Sequence, residues 1–248
     1  MNAWYRAAEI ADRSLAQELL EGTDPYAAAR EIGLPTPPEV RYESVGAFLE
    51  QGAAGIAELE RQGVSNFYVG LRPHDPQLVK HRQFGLAAED ISTYVTGEIP
   101  DADYGRYVVQ LAEYAPARYG ATIIINDEGT VTLEMVDGEM ARLATGKQTP
   151  QYTVHSDPFT GIMRYSFDDV ALRTSVWRAI SRIPSAEADT GPQRRLPGYY
   201  EVSFIDRGGR LTPIFFDYKK TAIYSKPRRF DEDTLKTVAN TALSRDTL

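Results

Sequence analysis

The 248-residue sequence contains no cysteine, and that absence removes disulfides, thiolate zinc sites and cysteine nucleophiles together. Histidine is nearly absent too: His74, His81 and His155 lack the helical i, i+4 spacing of a zinc pair, so histidine-based metal chemistry is not expected. No run approaches eighteen apolar residues, and no apolar stretch follows a basic start, so neither a membrane span nor a signal peptide is expected and the cytoplasm is the predicted location. A positive surplus is missing as well. Lys and Arg number 27 against 35 Asp and Glu, a net charge of −8, which is the wrong sign for tracking a nucleic-acid backbone. Two catalytic signatures are also lacking. No Gly-x-Ser-x-Gly elbow occurs, and Gly146-Lys147-Gln148-Thr149 has Ala141 where a phosphate-binding P-loop needs glycine.

What is present reads as a folded α+β chain. The 42% apolar and 25% charged content is ordinary, and the length suits one large domain or two small ones. The 15 tyrosines are dispersed, which predicts core and rim positions rather than a stacking surface. Residues 3–21 have helical periodicity, Asp24 can cap a short helix to about Ile32, and Ser44 can cap another through about Glu60. From Asn66 the pattern turns to strands: NFYVGLRP, RYVVQLAEY, a hairpin turning at Asp127-Glu128-Gly129, and a second formed by YTVHSD and GIMRYSF. A helix follows from Asp168 to about Ile183. Residues 184–197 are polar and breaker-rich, predicting a mobile loop whose Arg194 and Arg195 close over bound phosphates as a lid. Asp231 caps a final helix.

The densest chemistry lies in GYYEVSFIDRGGRLTPIFFDYKK, Gly198 to Lys220. Two β-rich runs flank Asp206-Arg207-Gly208-Gly209-Arg210, and a loop centred on Gly209 places Glu201 opposite Asp217, with Ser203, Phe215 and Lys219 on the same face. Two facing carboxylates repel, and a divalent cation such as Mg²⁺ held with substrate phosphates relieves the conflict. The competing reading is two water-facing strands with Lys219 paired to Asp217. A basic segment precedes this region. Arg72 ends a strand, and Lys80 and Arg82 follow before Gly85, a set suited to phosphate oxygens, with a solvated loop and an Arg72–Asp75 pair as the alternative. Lys219 and Lys220 can neutralise charge on a transferred phosphoryl group. Glu134, alternating with apolar neighbours, reads first as a solvent-facing strand residue.

The order of these pieces resembles an ATP-grasp domain over residues 28–220, with features of the nucleotide-binding part of the pyruvate-phosphate dikinase and phosphoenolpyruvate synthase group. AREIGLPTPPE, FYVGLRP, VVQLAEY, YGATIIINDEGTVTLEMVDG and the YYEVSFI/PIFFDYKK hairpin carry the resemblance. It implies antiparallel sheets after a helical N-terminal segment, with Mg²⁺ and ATP as cofactors. It implies triphosphate contacts from Arg72, Lys80 and Arg82, adenine and ribose contacts from Gln110 to Glu113, metal ligation by Glu201 and Asp217, and catalytic roles for Arg72 and Lys219. The sequence departs from the pattern in lacking a glycine-rich phosphate loop and in carrying Asp-Tyr-Lys where Glu-x-Asn is common. The implied division is a helical segment with the first helix (1–64), a first nucleotide-binding subdomain (65–109), a second with the acidic hairpin (110–230) and a C-terminal helix (231–248). The implied activity is Mg-ATP-dependent activation of a carboxylate, or phosphoryl transfer, on a small-molecule substrate, with a partner protein or homo-oligomer left open and no nucleic acid or membrane involved. The alternatives are a nucleotide sensor or scaffold on a partly degenerate domain, and an α+β interaction protein without a nucleotide site.

Overall fold

The computed structural model describes residues 26–75, 78–140, 143, 148–156, 160–186 and 194–220. The helices expected over residues 3–21 and from Asp231, and the Asp24 cap, lie outside them. Four α-helices, α1 (Ala27–Glu31), α2 (Val45–Arg61), α3 (Ile91–Glu98) and α4 (Val170–Arg182), and two 3-10 turns accompany ten strands among the described residues. Strands β1 (Glu39–Tyr42), β2 (Phe67–Pro73), β3 (His81–Leu86) and β4 (Tyr107–Glu113) form one sheet in the order β1-β4-β2-β3. Strands β5 (Ala117–Ile125), β6 (Val131–Asp137), β7 (Tyr152–Ser156), β8 (Met163–Tyr165), β9 (Gly198–Arg207) and β10 (Arg210–Lys219) form the other, in the order β10-β9-β5-β6-β7-β8. Every strand pairing is antiparallel, as expected of this α+β pattern. No helix among the described residues is long and apolar enough to cross a membrane.

Each sheet buries one face under helices and leaves the other for the cleft. Phe67, Val69 and Leu71 of β2 alternate into a core with Phe48 and Leu59 of α2 and Ile91 and Val95 of α3. Ser44 starts α2 as the sequence predicts, its Oγ accepting from the Ala47 N–H at 3.0 Å, which satisfies one of the helix's free donors. In the second sheet Ala121, Ile123, Val202, Phe204 and Phe215 pack against Leu172, Val176 and Ile180 of α4 and Ala29 of α1. Asp169 caps α4, its carboxylate accepting from Leu172 N–H at 2.9 Å.

Three features differ from the sequence expectations. The chain changes sheets at residues 114–116, so a division after residue 109 cuts through β4. Arg82 lies in β3, an edge strand paired to β2, and Lys80 immediately precedes that strand, where a phosphate loop was expected. The sequence ISTYVTGE forms α3 although its β-branched residues favour strands; burial of Ile91 and Val95 against β2 and β4 decides the conformation.

Gly120 on β5 is required by a close approach. A Cβ there would lie 2.2 Å from the Met140 backbone nitrogen, because the segment after β6 folds back onto the open face of the second sheet. Gly120→Ala is therefore expected to lower unfolding free energy by about 1–3 kcal/mol as that segment is forced off the sheet. Gly97→Ala, in α3 with open space around its Cβ, serves as a contrast and is expected to be neutral or stabilising by up to about 1 kcal/mol. Chemical denaturation of both variants measures the difference.

Candidate functional site

The hairpin of β9 and β10 turns on Gly208 and Gly209, whose φ values of 63° and 80° suit the two-residue turn that matches strand twist. Arg207 pairs with Arg210, and the register runs evenly to Val202 opposite Phe215. It then skips Phe216, a β-bulge, so that Glu201 faces Asp217 and Tyr199 faces Lys219. The predicted Glu201–Asp217 juxtaposition is present, but it arises from a turn centred between two glycines plus a bulge. The bulge also corrects the predicted place of Phe215, which lies in the core beside Tyr200, on the face opposite Glu201.

Around the two acids several side chains contact one another. Lys219 Nζ lies 3.1 Å from Asp217 Oδ2 and 6.0 Å from the centre of the Tyr199 ring. Tyr199 O–H donates to Glu201 Oε1 at 3.1 Å. Burial pushes the Glu201 carboxyl above the usual range and the facing Asp217 adds to this, while Lys219 and the Tyr199 hydrogen bond pull the other way. Lys220 is exposed beyond the strand end. Glu134 shares the face in a row running Glu134, Thr122, Glu201, Asp217, two strands from Glu201 and so about 10 Å away. Among the described residues no group of three or more His, Asp or Glu side chains comes together to hold a metal. With Asp217 already salt-bridged by an ammonium, the pair does not fit a Mg²⁺ ion held by both carboxylates. His74 is hydrogen-bonded to Glu43 O, His81 to Glu98 and His155 to Thr132.

The first sheet supplies the opposite wall. Its open face carries Tyr68, Gly70 and Arg72 from β2, with Gln110 and Arg82 across from Gly70 and Val108 across from Arg72. Tyr68 lies over Gly70, where a Cβ would meet its hydroxyl at 2.6 Å, and packs on Phe84 with ring centres 5.2 Å apart. At the crossover between sheets, Tyr68, Phe84, Ala115, Ser203, Ile205 and Phe216 line a cavity of about 170 Å³, flanked by Glu113 and Met140. From this apolar end both walls become charged: β2 leads to Arg72, and β9 leads from Ser203 to Glu201. Arg72 is half-buried, whereas Lys80 and Arg82 are exposed.

The adenine segment expected at Gln110 to Glu113 is placed differently. β4 is an interior strand paired to β1 on one side and β2 on the other, so the backbone of these residues is spent on the sheet. Glu113 N–H goes to Pro38 O and its carboxylate to Arg207 Nη2, at 2.6 and 2.8 Å, a brace joining the two sheets. Gln110 is fully buried; its Nε2 donates to Glu39 Oε2 at 2.5 Å, Glu39 pairs with Arg30, and Gln110 Oε1 has no partner among the described residues. The pocket wall nearest the crossover comes instead from Tyr68, Phe84 and Ala115, which sequence patterning did not single out; the signal was the aromatic pair at facing strand positions. Arg194 and Arg195 are also anchored, to Asp127 O and Ile183 O, and the Ser185–Arg195 bridge closes the ends of the loop expected to be a lid. Its centre, 187–193, lies outside the described residues.

No family model matches this sequence, and no curated protein does. Among solved structures the chain is similar to a RimK domain ATP-grasp protein from Sphaerobacter thermophilus, at 15% identity and TM-score 0.38 over 82% of this chain and 58% of that one. It is also similar to an L-amino acid ligase from Bacillus licheniformis, at 12% identity and TM-score 0.36 over 86% and 47%. A third is the VanG D-Ala:D-Ser ligase from Enterococcus faecalis, at 10% identity and TM-score 0.33 over 82% and 53%. The chain thus spans about half the length of these proteins.

The raised Glu201 carboxyl sets a pH dependence whose sign is fixed. The folded chain binds this proton more tightly than the unfolded chain, so ionisation costs stability; the cost is absent below the ordinary glutamate range near pH 4 and complete above the raised value. Glu201→Gln is therefore expected to be more stable than wild type at neutral pH, with the gain vanishing as pH falls below about 4. Thermal melting across pH measures it, and a gain that grows toward acid would contradict the assignment.

Proposed function

We propose that this chain binds ATP in the cleft between its two open sheet faces, as an ATP-grasp-like protein, and uses it to activate a carboxylate or transfer a phosphoryl group. The observation that carries the reading is the gradient along the cleft, from Tyr68, Phe84, Ile205 and Phe216 at the crossover to Arg72, Glu201, Asp217 and Lys219 farther along the same strands. A flat aromatic base suits the first end and phosphates the second. In this reading adenine lies against Phe84 and Tyr68 beside Ala115, and Arg72 and Arg82 grip phosphate oxygens from one wall. Lys219 approaches from the other and neutralises charge developing as the γ-phosphoryl group leaves ADP. In the ligase form a substrate carboxylate oxygen bonds to the γ-phosphorus while the bond to ADP breaks; a nucleophile then displaces phosphate from the acyl phosphate. Positioning and charge neutralisation supply the catalysis.

A second reading, a nucleotide-binding sensor that does not turn over, is favoured by one observation: the Lys219–Asp217 ion pair engages an acid that the reaction was expected to use. Incubation of the full chain with ATP, MgCl₂ and candidate carboxylates, with assay of ADP, AMP and phosphate, separates the two. Product formation supports the enzyme, and binding without consumption supports the sensor.

The aromatic end gives a direct test of the site. Phe84 is half-exposed, so Phe84→Ala is expected to leave the fold intact while weakening ATP binding by about 1–2 kcal/mol, roughly 5- to 30-fold in Kd. Calorimetric titration measures this, and unchanged affinity would remove the base from this cavity.

A further inference from the structure

We propose that the Lys219 ammonium is itself the cation that meets a nucleotide's phosphates at the Glu201–Asp217 pair, so that the cleft holds ATP with no divalent metal required. This rests on the nucleotide reading above and specifies how that site handles charge. The bulge at Phe216 places Lys219 on the open face, one non-adjacent step along β10 from Asp217. There the ammonium is held by two groups, the Asp217 carboxylate at 3.1 Å and the face of Tyr199, whose own hydroxyl is fixed by Glu201. Tyr199, Lys219, Asp217 and Glu201 therefore form a ring of contacts that sets the position of the positive charge before any ligand arrives.

Three N–H donors radiate from an ammonium, and the carboxylate contact uses one side of it, leaving others for phosphate oxygens in the cleft. Lys219 remains 39% exposed, enough to be reached, while Asp217 at 17% is largely enclosed. A Mg²⁺ ion at the same pair would meet that ammonium as a like charge. Arg72 and Arg82 on the facing wall supply further fixed positive charge, so the phosphates have cationic partners on both sides.

The test is calorimetric titration of ATP into the full chain, once in EDTA and once in millimolar MgCl₂, for wild type, Lys219→Asn and Lys219→Arg. Wild type and Lys219→Arg are expected to bind with Kd values that agree within about twofold in the two buffers, whereas Lys219→Asn is expected to lose about tenfold or more in EDTA and to recover with Mg²⁺. Melting with MgCl₂ and no nucleotide gives a second readout: wild type is expected to be unmoved, and Lys219→Asn, with both acids released, to be stabilised. Wild-type binding that appears only with Mg²⁺, or Lys219→Asn binding unchanged in EDTA, would overturn the inference while leaving the nucleotide reading standing. Absence of ATP binding in both buffers would overturn both.

Discussion

One inserted residue, Phe216, orients the charged wall of the cleft. Had the ladder continued in register from Val202 opposite Phe215, Asp217 would have faced Tyr200 and the hydrophobic core, and Lys219 would have followed it. Placing an unpaired carboxylate among Tyr200, Phe204 and Phe215 carries a cost of several kcal/mol. The bulge removes that conflict by shifting the alternation once. Phe215 and Tyr218 stay with the core, Asp217 and Lys219 move to the open face, and Phe216 itself turns toward the cavity, where Tyr26 packs on it with ring centres 5.8 Å apart.

The second constraint is the crossover. Two antiparallel sheets joined by three residues can share a cleft only if their near ends are fixed, and Glu113 with Arg207 supplies such a tie directly beside the cavity. It joins a strand interior to the first sheet to the hairpin of the second. Of the two carboxylates that line the cavity, Glu113 and Glu139, the first is already matched by a guanidinium. Gly120 and Gly70 complete the shaping, one admitting the Met140 backbone and the other the Tyr68 ring.

Electrostatics in the cleft follow from this arrangement rather than from the chain's net charge of −8. Locally one ammonium pairs with Asp217, and burial, with the facing Asp217 adding to it, raises the Glu201 carboxyl. A phosphate-bearing ligand would meet Arg72 and Arg82 from one side and Lys219 from the other. In the proposed site the acids would hold and aim the lysine, and the identity of residue 219 would then matter as much as that of residues 201 and 217.

Local signals in the sequence determined most elements. Ser44 marked a helix start because its side chain satisfies a free N–H donor, glycines at 129, 208 and 209 marked turns because positive φ suits them, and alternation marked β2, β5 and β6; α4 was expected from Asp168, and its cap is Asp169. Glu201 opposite Asp217 was reached from a loop centred on Gly209; the actual turn, centred between Gly208 and Gly209, gives that pairing only because the bulge at Phe216 shifts the register. The sequence could not show the bulge, since nothing in Ile214-Phe215-Phe216-Asp217 says which phenylalanine the core takes; the packing of Tyr200 and α4 decides that. Nor could it show that Gln110 to Glu113 would be flanked by strands on both sides, or that Glu113 would meet Arg207, 94 residues away. Those outcomes depend on which strands become neighbours, and neighbour choice is settled by burial summed over whole sheets, a quantity no local stretch of residues contains.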